Sequence, residues 1–189
     1  MRTALKLVWP SSEYLPGYIA ALKRGWSPDN ARGKVAADEE LSKIGTDSAA
    51  FLGSLVDREA TGEPITLPDG SKAARLPGYR RWLWDGEFCG SIGFRWHPGT
   101  EALPPYCLGH IGFAVVPWKQ RRGCATEALR QLLPEAKAEG LSYVEITTDP
   151  ENIPSQRVIE ANGGVLLERF TEPQQYGGMP GLRYRIALR

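Results

Sequence analysis

The sequence predicts an α/β fold, and three observations carry that expectation. Strand-like and helix-like segments alternate over the second half of the 189-residue chain. Tyr79 to Trp84 and Phe88 to Trp96 flank Asp85-Gly86, a dipeptide suited to the positive φ angles of a tight hairpin turn. An apolar stretch, Leu108 to Val116, runs through Pro117 into a short basic turn, which opens an amphipathic run from Thr126 to Glu139.

Each element can be justified in chain order. Thr3 to Trp9 alternates weakly and reads as a first strand. Tyr14 to Arg24 and Ser48 to Ala60 are helical candidates separated by a polar segment. In the second, Phe51, Leu52, Leu55 and Val56 recur at helical spacing, with Arg58 and Glu59 toward the opposite face. Gly62 to Pro77 is rich in Gly, Pro and Asp and reads as a loop with a turn at Pro68-Asp69-Gly70. After the hairpin comes a Pro/Gly loop, His97 to Pro105, and then the strand Leu108 to Val116. Ala125, Leu129, Leu132, Leu133 and Ala136 mark the apolar stripe of the next helix. Pro134 falls inside it and predicts a kink or break near Arg130, whose carbonyl loses its partner. Tyr143 to Thr148 reads as a buried strand. Val165 to Phe170 and Tyr184 to Leu188 are the last two, joined by the Gly-rich loop Thr171 to Arg183.

With 42% hydrophobic and 24% charged residues, the chain fits one globular domain over 1–189 with its own core. A net charge of +1 gives no global argument for nucleic acid or an anionic membrane as partner. Cys89, Cys107 and Cys124 are odd in number and lack Cys-x-x-Cys spacing. His97 and His110 do not complete a ligand set, so neither a disulfide framework nor a metal is indicated. Cys124 reads either as a thiol with a lowered pKa at a helix N-terminus or as a small residue filling a tight turn. The N-terminal run, broken by Lys6 and Pro10 after a single charge at Arg2, lacks a signal-peptide core and a spanning segment, and the expectation is a cytoplasmic protein.

The basic turn reads Gln120-Arg121-Arg122-Gly123-Cys124-Ala125. A helix N-terminus of this kind holds anions, because its first N–H groups have no intrahelical acceptor and the helix dipole favours negative charge there. Gly123 lets a bulky group come close, and Arg121 and Arg122 can add charge-assisted hydrogen bonds to phosphate oxygens. The alternative is that Gly123 only joins strand to helix and the arginines are solvated. Neither Gly-x-Gly-x-x-Gly nor Gly-Lys-Ser/Thr is present, which argues against a dinucleotide or nucleotide at this turn.

This spacing after a strand ending Val-x-Pro resembles the acyl-CoA signature of the GNAT superfamily of N-acyltransferases. A second element is similar to that family's in the same order: the strand Tyr143 to Thr148, then Asn152-Ile-Pro-Ser155 and a helix closing at Gly163-Gly164. The matched stretch runs from about Trp82 to Phe170. The branch it resembles is one of uncharacterised acetyltransferases, and that does not name a substrate. The resemblance implies a central mixed, mostly antiparallel twisted sheet flanked by helices. It also implies an acceptor-side part over about 1–77, an acetyl-CoA-binding core over about 78–170, and C-terminal strands to 189.

The resemblance further implies an acetyl-CoA-dependent N-acetyltransferase acting on a primary amine of a small molecule, peptide or protein, with no metal. Gln120, Arg121, Arg122, Gly123, Cys124, Ala125 and Thr126 would surround the diphosphate. The edge of Phe113, Ala114 and Val115 would pair with the pantetheine amides, and the N–H near Val115 would stabilise the oxyanion. Asn152 would lie beside the pantetheine and Ser155 near the thiol, although an Asn turn former and a Ser N-cap are ordinary roles for these residues. Where many members carry a Tyr that protonates the thiolate, this chain has Ile159, which cannot donate a proton. Ser155, Tyr176 and Tyr184 are candidate substitutes, water is another, and a catalytically silent acyl-CoA-binding module is the alternative function. Where the family often has Phe, the chain has Gly164.

For the base, the candidates are Glu87, Glu101, Glu145 and His110, the last with an ordinary pKa of about 6.5, or a relayed water. The resemblance places the acceptor between the N-terminal helices and the Thr171 to Arg183 loop. Trp26, Trp82, Trp84, Trp96 and Trp118 can line a pocket or pack the core. Asp38, Glu39 and Glu40 can attract an amine or form a solvated face. Acceptor identity, acyl length and oligomeric state are left open, a homodimer included.

Overall fold

The computed structural model describes residues 4–188, so Arg2, and Thr3 at the start of the expected first strand, lie outside the described residues. The expected first strand is β1, Lys6–Val8. The expected first helix is α1, Leu15–Lys23, with Pro16 in its first turn, where a missing N–H costs nothing. The polar segment after it is a helix, α2, Lys34–Thr46. Only Ala36, Ala37 and Ile44 of α2 are buried, too few for an apolar stripe legible in the sequence. The third helix, α3, Ser48–Ser54, is capped by the Asp47 carboxylate, which accepts from the Ala50 N–H at 2.9 Å. It ends well before Ala60 because Val56 and Asp57 leave to pair with Tyr79 and Gly78 as β2, Val56–Asp57. Phe51 is buried as expected, whereas Val56 is exposed.

The turn Pro68-Asp69-Gly70 closes a small hairpin of β3, Ile65–Thr66, and β4, Lys72–Ala73. The large hairpin follows as β5, Gly78–Trp84, and β6, Phe88–Arg95, with Gly86 at φ 106° in the turn. Next come β7, Ile111–Val115, α4, Cys124–Ala138, and β8, Tyr143–Thr148. The chain ends with α5, Ile153–Ala161, β9, Val165–Thr171, and β10, Pro180–Ala187. No described helix is long and apolar enough to cross a membrane.

Besides the small β3-β4 hairpin, two antiparallel sheets result, in the orders β1-β5-β6-β7 (with β2 also on β5) and β8-β10-β9. One core layer lies between strands and α4–α5 and includes Leu83, Ile92, Phe94, Leu129, Leu132, Val144, Ile146 and Ile159. A second packs α1–α3 against the first sheet through Leu15, Tyr18, Leu22, Trp26, Phe51 and Trp82. The helices therefore cover opposite faces, which leaves the junction of β7 and β8 as the place where the sheet opens.

Helix α4 runs unbroken through Pro134, contrary to the expected break. Pro134 and Arg130 are both exposed, so the carbonyl freed by the missing N–H faces water. On the other side Ala128, Leu129, Leu132 and Ala136 are fully buried and hold the helix to the sheet.

Candidate active site

The site is built on β7. Its register places Gly90 opposite Val115 and Phe94 opposite Ile111, and the flanking bonds are Val116 N–H to Cys89 O and Arg95 N–H to His110 O, each 2.9 Å. Antiparallel pairing alternates, so Gly112 and Ala114 bond to β6 while the N–H and C=O groups of Phe113 and Val115 point to the free edge. Among the described residues, no protein group accepts the N–H of Phe113 or Val115. Their carbonyls are engaged from outside the sheet: Asn30 Nδ2 donates to Phe113 O at 3.2 Å, and Gln120 Nε2 to Val115 O at 3.4 Å.

Beyond Val115 the chain makes a short 3-10 turn, Pro117–Lys119, which is fixed on two sides. The Arg24 guanidinium lies 3.4 Å over the Trp118 ring, and the buried Lys119 ammonium is held by Asp85 and Glu87, each at 2.9 Å. Burial works against that charge, but the hydrogen bonds that the ammonium donates to Glu87 and Asp85 outweigh it and keep it protonated above the ordinary range. Arg121 then adopts φ 59° and Gly123 φ 78°, the left-handed region. A left-handed residue followed by a helical one turns consecutive N–H groups into one concavity, an anion-binding nest. No side chain caps the α4 N-terminus, and the N–H groups of Cys124, Ala125 and Thr126 have no protein acceptor among the described residues. Arg121 and Arg122 stand exposed beside them. Cys124 is buried, and that burial raises its pKa, so the structure favours the small turn-filling residue over an activated thiol.

His110 sits where β7 and β8 meet, with no solvent exposure. Its N–H donates to Glu145 O at 2.8 Å, and its Nδ1 accepts from the Glu145 N–H at 2.9 Å. Burial lowers its pKa, so the ring is neutral, with its proton on Nε2 and its lone pair already used. Gly109 packs equally close, since a Cβ there would stand 3.1 Å from Glu145 O. Beyond this latch β7 pairs only with β6 and β8 only with β10 among the described residues, so the two strands part.

Across the gap, Asn152 caps α5: its Oδ1 accepts from the Ser155 N–H at 3.2 Å, which leaves Nδ2 free to donate. The cap is thus Asn152, and Ser155 is the third residue of the helix. Ile159 is fully buried, and a Cβ on Gly164 would meet its Cγ2 at 2.3 Å. The two departures from the family pattern are therefore one contact: the side chain at 159 and the bare backbone at 164 share a space.

The gap widens into a cleft of about 1410 Å³ between the loop Pro28–Arg32, the floor of β5–β7, and the segments around Asp149 and Tyr176. Phe113 and Asn152 line it, so it meets the free edge of β7. None of the six tryptophans does. Trp26, Trp82 and Trp96 are buried in the core, and Trp84 packs on Tyr14. The acidic run is consumed in ion pairs, Asp38 with Lys34, Glu39 with Arg32, and Glu40 with Arg80 and the Tyr18 hydroxyl. The carboxylates expected near the strands stand outside the cleft: Glu87 is on Lys119, Glu101 holds the Ser142 hydroxyl at 2.6 Å, and Glu145 pairs with Arg183 and Arg185. Tyr184 is buried with its hydroxyl toward Glu160, whereas Tyr176 lines the cleft and donates to Tyr106 O at 2.6 Å.

Among the charged groups of the cleft that sequence reasoning missed are Arg95, Asp149 and Glu172. Glu172 is half-buried, and burial together with the charge of Asp149 raises its pKa. No linear motif announces them, because they come from the end of β6, the end of β8 and the β9–β10 connection.

Residues 33–165 match the family model described as acetyltransferase (GNAT) domain. The chain belongs to the GNAT acetyltransferase family. No curated protein sequence matches it. Among solved structures, it is similar to the microcin C7 self-immunity acetyltransferase MccE in complex with acetyl-CoA and AMP, at 13% identity and TM-score 0.63, covering 97% of this chain and 92% of that one. It is similar to RimJ of Mycobacterium smegmatis in complex with CoA-disulfide, at 19% identity and TM-score 0.59, with 98% and 82% covered. The protein yncA of Salmonella typhimurium, with its cofactor acetyl-CoA, is similar at 12% identity and TM-score 0.55, with 99% and 95% covered. At these identities the likeness is one of fold, and the three neighbours carry acetyl-CoA or CoA-disulfide.

Proposed function

We propose that this GNAT acetyltransferase transfers an acetyl group from acetyl-CoA to a primary amine in the cleft, making an amide. The observation that carries the reading is continuous in the chain: two outward N–H groups on β7 lead into an uncapped helix N-terminus with two arginines. The residues fit the cosubstrate. The nest at Gly123 to Thr126, with Arg121 and Arg122, suits the diphosphate. Phe113, Val115 and the free Asn152 amide suit the pantetheine amides, with Gln120 bracing the edge and Ala114 holding it to β6. When bound, acetyl-CoA supplies the thioester.

The chain's own groups then do the rest. An outward N–H of β7 near Val115, one that the pantetheine amides leave free, donates to the charge that develops on the acyl oxygen, a contribution of ~10²–10³ in rate for a well-placed donor. Ser155, one turn into α5, is the hydroxyl we assign to the departing sulfur. His110 has no free acceptor, and we assign it to positioning, holding β7 at the angle that exposes its edge. The balance is one C–N bond formed, one C–S bond broken, one proton to the sulfur and one released.

The test is calorimetric titration with acetyl-CoA, with ATP and NAD as controls, alongside free-thiol release over a panel of amines. Micromolar binding with amine-dependent release is expected. Absence of binding contradicts the assignment, and Arg121→Ala and Gly123→Ala should each weaken binding.

A further inference from the structure

The cleft's charges are unequally spent. Arg32, Arg75 and Arg80 are neutralised by Glu39, Asp57 and Glu40. Asp29 caps its own loop, accepting from the Ala31 and Arg32 N–H groups at 2.9 Å. Arg95, by contrast, has no ion pair and no side-chain hydrogen bond among the described residues. Its guanidinium lies over β7, close enough that a Cβ on Gly112 would stand 3.3 Å from Nη2. Gly78, Gly93 and Gly112 lie on neighbouring strands around it, and the absence of side chains leaves the floor open beneath the guanidinium. The carboxylates of Asp149 and Glu172, which line the same cleft, also lack any ion pair among the described residues.

We propose that the acceptor is an amine that also carries a carboxylate, a free amino acid in the simplest case. Arg95 binds the carboxylate over Gly112, and Glu172 with Asp149 receives the ammonium. This deepens the acetyltransferase reading and rests on it. A lone guanidinium on an open floor fits a planar anion through two parallel N–H donors. The two carboxylates fit the cationic end and would orient the nitrogen toward the edge at Phe113 and Val115. Glu172, less acidic than an ordinary carboxylate because it is half-buried and beside Asp149, suits taking the ammonium proton before the nitrogen attacks. The amine then forms its C–N bond as the C–S bond breaks, and its second proton goes to the sulfur. The cleft's volume leaves room beyond Arg95 for a larger body on the same amino acid.

The test compares each of several amino acids with its carboxamide and its decarboxylated amine, by free-thiol release in wild type, Arg95→Gln and Arg95→Lys. The acid should be preferred by roughly 10²-fold in kcat/KM, as for a site built to pair with a group the analogue lacks. Arg95→Gln should abolish that preference, mainly through KM of the acid, with the amide within about threefold of wild type. Arg95→Lys should restore part of it. Unchanged acetyl-CoA affinity in each variant shows that the fold is intact. Equal turnover of acids, amides and decarboxylated amines, or a preference that survives Arg95→Gln, overturns this inference and leaves the acetyltransferase reading standing. Acetyl-CoA binding with turnover of no amine overturns both.

Discussion

The proposed cosubstrate side and the proposed acceptor side of β7 are made differently. The first is backbone: N–H groups of Phe113, Val115 and residues 123–126, all within fourteen consecutive positions. The second is side chains, with Arg95, Asp149, Glu172 and Tyr176 brought together from three separate segments. A backbone site needs one conformation of one stretch and tolerates many side chains around it. A side-chain site can be rebuilt residue by residue without disturbing the strand beneath it. The comparison teaches why a reaction class is readable here while the acceptor is a matter of separate inference.

The largest effect should come where the two sides join. His110→Ala leaves the buried Glu145 N–H without an acceptor and opens a cavity, and should cost about 3 kcal/mol of stability. His110→Asn, which keeps an acceptor, should recover part of that in denaturant melts. If His110→Ala is as stable as wild type, the latch is not what holds the strands. On the cosubstrate side, Gly123→Val should weaken acetyl-CoA binding by roughly 10²-fold, since a branched residue resists positive φ and fills the approach to the nest. Acceptor KM should stay within about threefold at saturating acetyl-CoA. A change confined to the acceptor would reverse the assignment of the two sides.

Arg121→Gly sharpens the same contrast. It removes a left-handed strain of about 1 kcal/mol while deleting a guanidinium, so stability should rise and acetyl-CoA affinity fall by roughly tenfold. A fall in both would place Arg121 in the fold rather than at the phosphate. The smallest effect is in pH. His110 stays neutral in the fold because burial lowers its pKa, whereas the unfolded chain takes up a proton below about 6.5. Its contribution is therefore present above that value and is lost as pH falls from there through the folded value. Melts between pH 7 and 5 should show a downward slope that His110→Asn flattens.

The same division explains what could be read in the sequence. The hairpin at Asp85-Gly86, β7, α4 and β8 are legible because each is a local pattern of turn chemistry or periodicity. The polar α2 was not, since three buried side chains in thirteen residues leave no stripe, and its place is set by Glu40 reaching Arg80 and Tyr18. The end of α3 was misread because Val56 continues the helical spacing, and only its partner Tyr79, distant in sequence, draws it into a strand. At Pro134 the local rule was overridden by the buried face of α4. Of the site, the basic turn was visible as a contiguous motif. Arg95, Asp149 and Glu172 were not, because the cleft that gives them meaning exists only after β7 and β8 part.

The central claim is that backbone N–H groups of β7 and of the α4 N-terminus bind the cosubstrate. Amide hydrogen exchange followed residue by residue, with and without CoA, tests it most directly. The account predicts selective slowing at Phe113, Val115 and residues 123–126, with Gly112 and Ala114, already bonded to β6, unchanged. Unchanged exchange at Val115 and 123–126 under saturating CoA would contradict it.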